Sequence, residues 1–215
     1  MQIKGHQLDF ALTTYCQAKC RSCARTNEET GDKADWVELL HMNIDVFKRT
    51  LDASSNLHIE WIEFCGELGD PMMHPHVDTF IETALNYTTQ VTISTNGALR
   101  NHTWYEKIAK KYKHKLTIMF AIDGATHDVN WLYREGVDFN KAFENMKSFQ
   151  ASGGLGEWAF LIFEWNWHQI PLACSLAKEI GIPIEFRYND RNFGLITPES
   201  KIQADILLAA NGYEL

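Results

Sequence analysis

The chain has no stretch of the roughly 20 consecutive apolar residues that a membrane-spanning helix needs, and its 215 residues include only 5 prolines. Its 13 glycines show neither a period nor a low-complexity tract, which excludes collagen-like and disordered readings. Positive charge is in deficit: 20 Lys and Arg stand against 28 Asp and Glu, for a formal net charge of -8. That balance argues against a protein built to hold nucleic acid phosphates or anionic membrane surfaces. The stretch from Met1 to Phe10 carries Lys4, His6 and Asp9 where a secretory leader would be apolar. A cytoplasmic protein with reduced thiols is expected, and its 5 cysteines, odd in number and clustered towards one end, do not suggest a disulfide framework.

What is present is an ordinary globular composition, 45% hydrophobic and 22% charged, long enough to bury a core without staples. Apolar, β-branched runs are each followed by a segment of helical spacing. Strands are predicted over Leu8 to Tyr15, Leu57 to Phe64, Gln90 to Thr95, Leu116 to Ile122, Glu157 to Glu164 and Ile182 to Arg187. Helices are predicted over Asn43 to Ala53, His76 to Asn86, His102 to Lys111, Asn140 to Ala151 and Trp167 to Ile180. This alternation calls for right-handed crossovers around a parallel sheet. The chain is too short for a closed eight-unit barrel of about 250 residues. The expected fold is therefore α/β, a partial, open TIM-like barrel of about six parallel β/α units. Residues 1–195 would form this core. Residues 196–215 would add a helical extension, with Thr197 as N-cap and Pro198 at the first helical position. Ser152 to Gly156 reads as a helix stop, not a phosphate loop. Ligands of such sheets bind at the carboxyl ends of the strands.

Directly after the first strand come Cys16, Cys20 and Cys23, in a CxxxCxxC spacing that only a loop can turn to one side. Soft thiolates select zinc, copper(I) or iron-sulfur clusters. Three ligands leave a coordination position for a substrate or cofactor. The alternative is a structural zinc site completed by His6 or His41. Cys65, at the end of the second strand, and Cys174, inside a helix, read as structural.

Spacing, preceding strand and α/β alternation together resemble the radical S-adenosylmethionine (radical SAM) superfamily. The resemblance implies a 4Fe-4S cluster held by Cys16, Cys20 and Cys23, with S-adenosylmethionine chelating the fourth iron through its amino and carboxylate groups. One-electron cleavage of the sulfonium then yields a 5'-deoxyadenosyl radical that abstracts hydrogen from a substrate.

Further segments carry the likeness. Gly66-Glu67-Leu68-Gly69-Asp70-Pro71 resembles the family's Gly-Gly-Glu-Pro segment, with Gly69 allowing close approach and Asp70, or Glu67 in its place, accepting from the cofactor's α-ammonium. Ser94-Thr95-Asn96-Gly97 is similar to the Thr-Asn-Gly segment, which puts Ser94 and Asn96 near the ribose and methionine moieties. Asp123-Gly124 and Arg134-Glu135-Gly136 resemble Ser-x-Asp-Gly and Arg-Gly; Asp123 would meet a hydroxyl or the substrate, and Arg134 the cofactor carboxylate. Asn166 would lie near adenine or ribose. Phe64, Phe120, Phe163 and Trp165 are candidates for inert walls around the chemistry, and the arginines and asparagines of Arg187 to Phe193 for receiving an acidic or peptide-like substrate.

The likeness runs from about Leu8 to about Arg187, with Gln17, Ser22 and Asp70 departing from the commoner residues. It implies an enzyme acting on a small molecule or a peptide, with a flavodoxin or ferredoxin as electron donor; no Cys follows the sixth strand, so the auxiliary-cluster domain that peptide-modifying members often carry is not expected. Two other readings compete with it. One is a non-catalytic zinc or iron-sulfur module; the other is an activase making a glycyl radical on a partner protein.

Overall fold

The computed structural model describes residues 5–190 and 193–214. Six parallel strands form one open sheet in sequence order: β1 (His6–Phe10), β2 (Ile59–Phe64), β3 (Gln90–Thr95), β4 (Leu116–Ala121), β5 (Leu155–Ile162) and β6 (Ile184–Tyr188). Every neighbouring pair is parallel, so each connection is a crossover, and β1 and β6 remain unpaired with each other. This is the open, partial barrel that the strand-helix alternation predicts.

The strands alternate with helices α1 (Ile44–Ala53), α2 (Val77–Ala84), α3 (His102–Tyr112), α4 (His127–Trp131), α5 (Phe139–Ala151), α6 (Ile170–Ile180) and α7 (Pro198–Ala210). Local chemistry starts several of them. The side chains of Asn43, Asn101, Asp138 and Thr197 each accept a backbone N–H of the first turn, satisfying donors that have no partner within the helix. Gly181, at φ 70°, ends α6.

Period-two burial sets the two faces of the sheet. Ile62, Phe64, Ile93, Ile118, Phe120, Trp158, Phe160 and Ile162 are almost wholly buried, and several meet helix aromatics: Phe64 lies 5.9 Å from Phe47 of α1, and Phe120 lies between Tyr105 of α3 and Phe149 of α5. Their strand neighbours Glu63, Ser94, Met119, Ala121 and Leu161 are only partly buried and face the open side.

The ends of most strands and helices shift by a few residues from the sequence expectation, and three differences stand out. β1 stops at Phe10 rather than Tyr15, because the next residues leave the sheet to pair with the segment before α1: Met42 N–H donates to Leu12 O at 2.8 Å and Thr14 N–H to Leu40 O at 3.0 Å. β5 starts at Leu155, taking Gly156 into the ladder opposite Ile118. α4 is additional, a helix of 5 residues too short to leave a periodic signature. The C-terminal helix is where it was expected; Ala204 and Leu208 bury its inner face, and Tyr213 meets Phe186 at 5.1 Å. Among the described residues no helix is long and apolar enough to cross a membrane.

Candidate active site

A cavity of about 820 Å³ opens at the carboxyl ends of the strands, bounded by the cysteine loop, the loop after β2 and the ends of β3, β4 and β5. Cys16, Cys20 and Cys23 all line it. So do Gly69, Asp70, Ser94, Asn96 and Arg134, five of the seven residues assigned to the cofactor from sequence. Asp123 and Asn166 do not.

The loop after β2 is held against the cysteine loop by main chain. Asp70 N–H donates to Tyr15 O at 2.8 Å, and a Cβ on Gly69 would stand 2.2 Å from Thr13 O and 2.7 Å from Tyr15 O. Only glycine permits that approach. Arg25, buried, closes the seam: its Nε donates to Leu68 O at 2.9 Å and its Nη2 to Thr14 O at 3.3 Å. On the other side Lys19 N–H donates to Glu135 O at 2.8 Å, and Gly136, at φ 84°, sits where a Cβ would be 2.6 Å from Gln17 O.

Asp70, 4% exposed, is saturated by its own chain. Its Oδ1 accepts the N–H of Met72 at 2.9 Å. Oδ2 accepts the N–H of Asn96 at 2.8 Å and its Nδ2 at 2.6 Å, and the Thr95 hydroxyl lies 2.9 Å from both oxygens. Burial pushes the Asp70 carboxyl up, and these donors pull it back. The carboxylate thus organises the end of β3 with its lone pairs already engaged. Asn96 passes the link on, its Oδ1 accepting from Gln17 Nε2 at 2.7 Å, with the Cys16 sulfur 3.9 Å from its Nδ2. Glu67, the other candidate acceptor, is exposed and lines the cavity. Ser94 Oγ donates to Glu63 Oε1 at 3.0 Å.

Asp123 and Arg134 face each other. Arg134 Nε lies 2.6 Å from Asp123 Oδ2, and Asp123 Oδ1 accepts the N–H of Leu161 at 2.8 Å. Asn166, fully buried, is a clasp: its Oδ1 accepts the N–H of Phe163, and its Nδ2 donates to the carbonyls of Asp123 and Leu161. The expected aromatic walls lie elsewhere. Phe64 and Phe120 point under the helices, Phe163 stacks on Trp165 at 4.8 Å, and the apolar lining comes from Ala121, Leu161, Leu68 and Tyr133. At the end of β6, Arg187 pairs with Glu185 at 2.7 Å and Asn189 Nδ2 donates to Phe193 O at 2.8 Å; Arg191 and Asn192 lie outside the described residues.

The donor set suits a 4Fe-4S cluster. Three soft thiols line one cavity, and neither His6 nor His41 lines it with them. Among the described residues no three His, Cys, Asp or Glu side chains are drawn together as a ready metal site. Burial pushes the Cys16 thiol up to about 12 and raises that of Cys20 as well, where Arg134 opposes the rise. Loading a metal must displace those protons. The histidines considered for zinc are placed elsewhere: His6 opens β1, at the far end of the strand that leads to the cysteines, and His41 lines a separate cavity of about 370 Å³ with His74 and His76. His41 Nδ1 is 2.8 Å from the Thr13 hydroxyl and its ring stacks on Tyr15 at 4.5 Å. Cys65 and Cys174, half-buried, do not line the cysteine cavity.

Sequence reasoning missed Arg25, Gln17, Thr95 and Tyr133 as parts of this site. Arg25 and Gln17 act on partners 43 and 79 positions away, which local spacing does not encode. Thr95 could have been found, since it sits inside the Ser94 to Gly97 segment.

No protein-family profile matches the chain, and no curated protein matches it in sequence. Solved structures do match in fold. SuiB of Streptococcus suis bound to S-adenosylmethionine superposes with a TM-score of 0.74 at 15% identity, over 98% of this chain and 49% of its own. Native anSMEcpe with bound AdoMet gives 0.72 at 16% identity, over 95% of this chain and 60% of that one. Methylornithine synthase (PylB) gives 0.61 at 12%, over 95% and 62%. The chain thus has the partial-barrel fold of radical SAM enzymes, and spans about half the length of SuiB. SuiB has also been solved with the precursor peptide SuiA, and anSMEcpe with AdoMet and the Kp18Cys peptide.

Proposed function

We propose that the chain is the catalytic core of a radical SAM enzyme. The observation that carries this reading is that Cys16, Cys20 and Cys23 line one open cavity at the carboxyl end of a six-stranded partial barrel, beside the Asp70, Thr95 and Asn96 network. Cys16, Cys20 and Cys23 would hold a 4Fe-4S cluster. When bound, the cluster and S-adenosylmethionine supply one-electron cleavage of a sulfonium and abstraction of a substrate hydrogen.

The chain's own residues bind, orient and shield. The seam of Gly69, Arg25 and Gly136 fixes the cysteine loop between its neighbours. Asp70 holds the Asn96 amide in place, and Asn96 and Gln17 steady the loop at Cys16. Glu67, exposed at the cavity, is the acceptor left for an ammonium group, and Ala121, Leu161 and Tyr133 form an apolar wall that keeps water from the reacting atoms. For the substrate we favour a peptide, a class supported by the peptide complexes of SuiB and anSMEcpe. A flavodoxin or ferredoxin would supply the electron, in the cytoplasm.

The test is anaerobic reconstitution with iron and sulfide, reduction with S-adenosylmethionine present, and assay for 5'-deoxyadenosine. The product is expected from the wild-type chain and from Cys174→Ala, and not from Cys16→Ala, Cys20→Ala or Cys23→Ala. Undiminished product from Cys20→Ala would remove the ligand assignment.

A further inference from the structure

Arg134 reaches a cysteine sulfur of the cavity directly: its Nη1 lies 3.8 Å from Cys20 Sγ. Its side chain is 16% exposed and that of Asp123 is 0% exposed, so the pair sits where charge is poorly screened. The guanidinium is fixed from two sides. Asp123 holds Nε at 2.6 Å, the Tyr133 ring lies 5.2 Å from the guanidinium carbon, and Asp123 is itself locked by the Leu161 N–H. The Lys19 to Glu135 backbone bond and the Gly136 approach tie the segment carrying Arg134 directly onto the cysteine loop. This is more fixing than a surface arginine needs to reach a soluble cofactor.

From this geometry we propose that Arg134 is a positioning and tuning residue for the cluster, donating an N–H to the Cys20 sulfur and raising the cluster's reduction potential, and is not reserved for the carboxylate of S-adenosylmethionine. The inference rests on the reading of the chain as a radical SAM protein. A cluster held by three thiolates becomes more negative when it takes up an electron. A fixed positive charge and an N–H donor at a ligand sulfur favour that reduced state. Arg134 stays protonated at any working pH, so its contribution is constant. Asp123 offsets only part of it, because the carboxylate meets the Nε edge of the guanidinium while the sulfur meets Nη1.

The experiment is an EPR-monitored redox titration of the anaerobically reconstituted protein without S-adenosylmethionine, with iron and sulfide content measured in parallel. Arg134→Gln is expected to keep its cluster and to titrate at a more negative midpoint potential than wild type. Arg134→Lys, which keeps the charge but loses the fork, should fall between them. Because Arg134→Gln leaves a lone buried carboxylate and can fail to fold, the double variant Arg134→Gln/Asp123→Asn, which removes both charges, provides the second measurement; it too should lie negative of wild type. Loaded Arg134→Gln or double-variant protein titrating at the wild-type potential, with only its affinity for S-adenosylmethionine weakened, overturns the proposal and returns Arg134 to the carboxylate. A wild-type chain that assembles no cluster overturns both this proposal and the reading beneath it.

Discussion

Asn96 Nδ2 lies 2.6 Å from Asp70 Oδ2, joining the end of β3 to the loop after β2 inside a site where every lone pair of the carboxylate faces a donor. Asp70→Asn turns one of those acceptors into an N–H₂ aimed at other donors, and an unsatisfied buried polar group costs about 1–3 kcal/mol. The variant is expected to melt at a lower temperature and to bind S-adenosylmethionine more weakly, with iron content retained. Thermal melting and ligand titration on the reconstituted protein check both effects; a melting temperature equal to wild type would mean that the carboxylate does not hold β3.

Gly69 tests the seam on its own. A Cβ there meets two backbone oxygens of the first loop, at 2.2 and 2.7 Å, and backbone yields less readily than the end of a flexible side chain. Gly69→Ala is expected to destabilise the chain by about 2 kcal/mol or more, the upper part of the range for overpacking. Urea unfolding measures it. An alanine at Gly153, where nothing lies within 4 Å but φ is 81°, serves as a comparison in which backbone strain acts without the clash.

Much of this architecture can be read from the residues because it is written locally. The strands around Ile62, Ile93 and Ile118 are apolar, β-branched runs, α7 opens on Thr197 and Pro198, and three cysteines within eight positions mark a loop. The contacts that turn this frame into a site are not local. Asp123 and Arg134 each stand out in the sequence, yet nothing in it says that they face each other across 11 positions rather than a ligand. The family resemblance puts Asn166 near adenine or ribose, yet its amide nitrogen donates to the carbonyls of Asp123 and Leu161. The strand-end phenylalanines illustrate a third limit: a strand offers two faces, and which one a terminal aromatic takes is settled by register with its neighbours.

Glu164 gives the C-terminal helix a dependence on pH. Its carboxylate accepts the Thr197 N–H and the Ser200 hydroxyl, each at 2.7 Å, and these bonds hold its pKa below the usual glutamate value. A depressed pKa in the folded state means that the stabilisation is present above the unfolded-state pKa and is lost as pH falls through the folded one. Hydrogen exchange of the first turn of α7 is therefore expected to quicken as pH drops below the ordinary glutamate range, after correction for the intrinsic rate. Glu164→Gln should flatten that dependence. If the wild-type turn protects equally at neutral and acid pH, Glu164 does not anchor the helix.

Glu67 separates binding from folding more cleanly than Asp70 can. Its side chain is exposed at the cavity, and its carboxylate makes no hydrogen bond to the described residues, whereas its backbone carbonyl lies 3.9 Å from the Cys23 sulfur. Glu67→Gln keeps shape and backbone and removes one negative charge. Its unfolding midpoint and iron content should match wild type, because no internal contact is lost. Its affinity for S-adenosylmethionine should fall about tenfold or more, since a hydrogen bond to a charged group contributes roughly 1.5–3 kcal/mol. Isothermal titration under anaerobic conditions reads that change directly. A loss of affinity in Asp70→Asn with none in Glu67→Gln would place the ammonium acceptor in the main chain of the Gly66 to Gly69 loop, oriented by Asp70, and leave Glu67 as a surface charge.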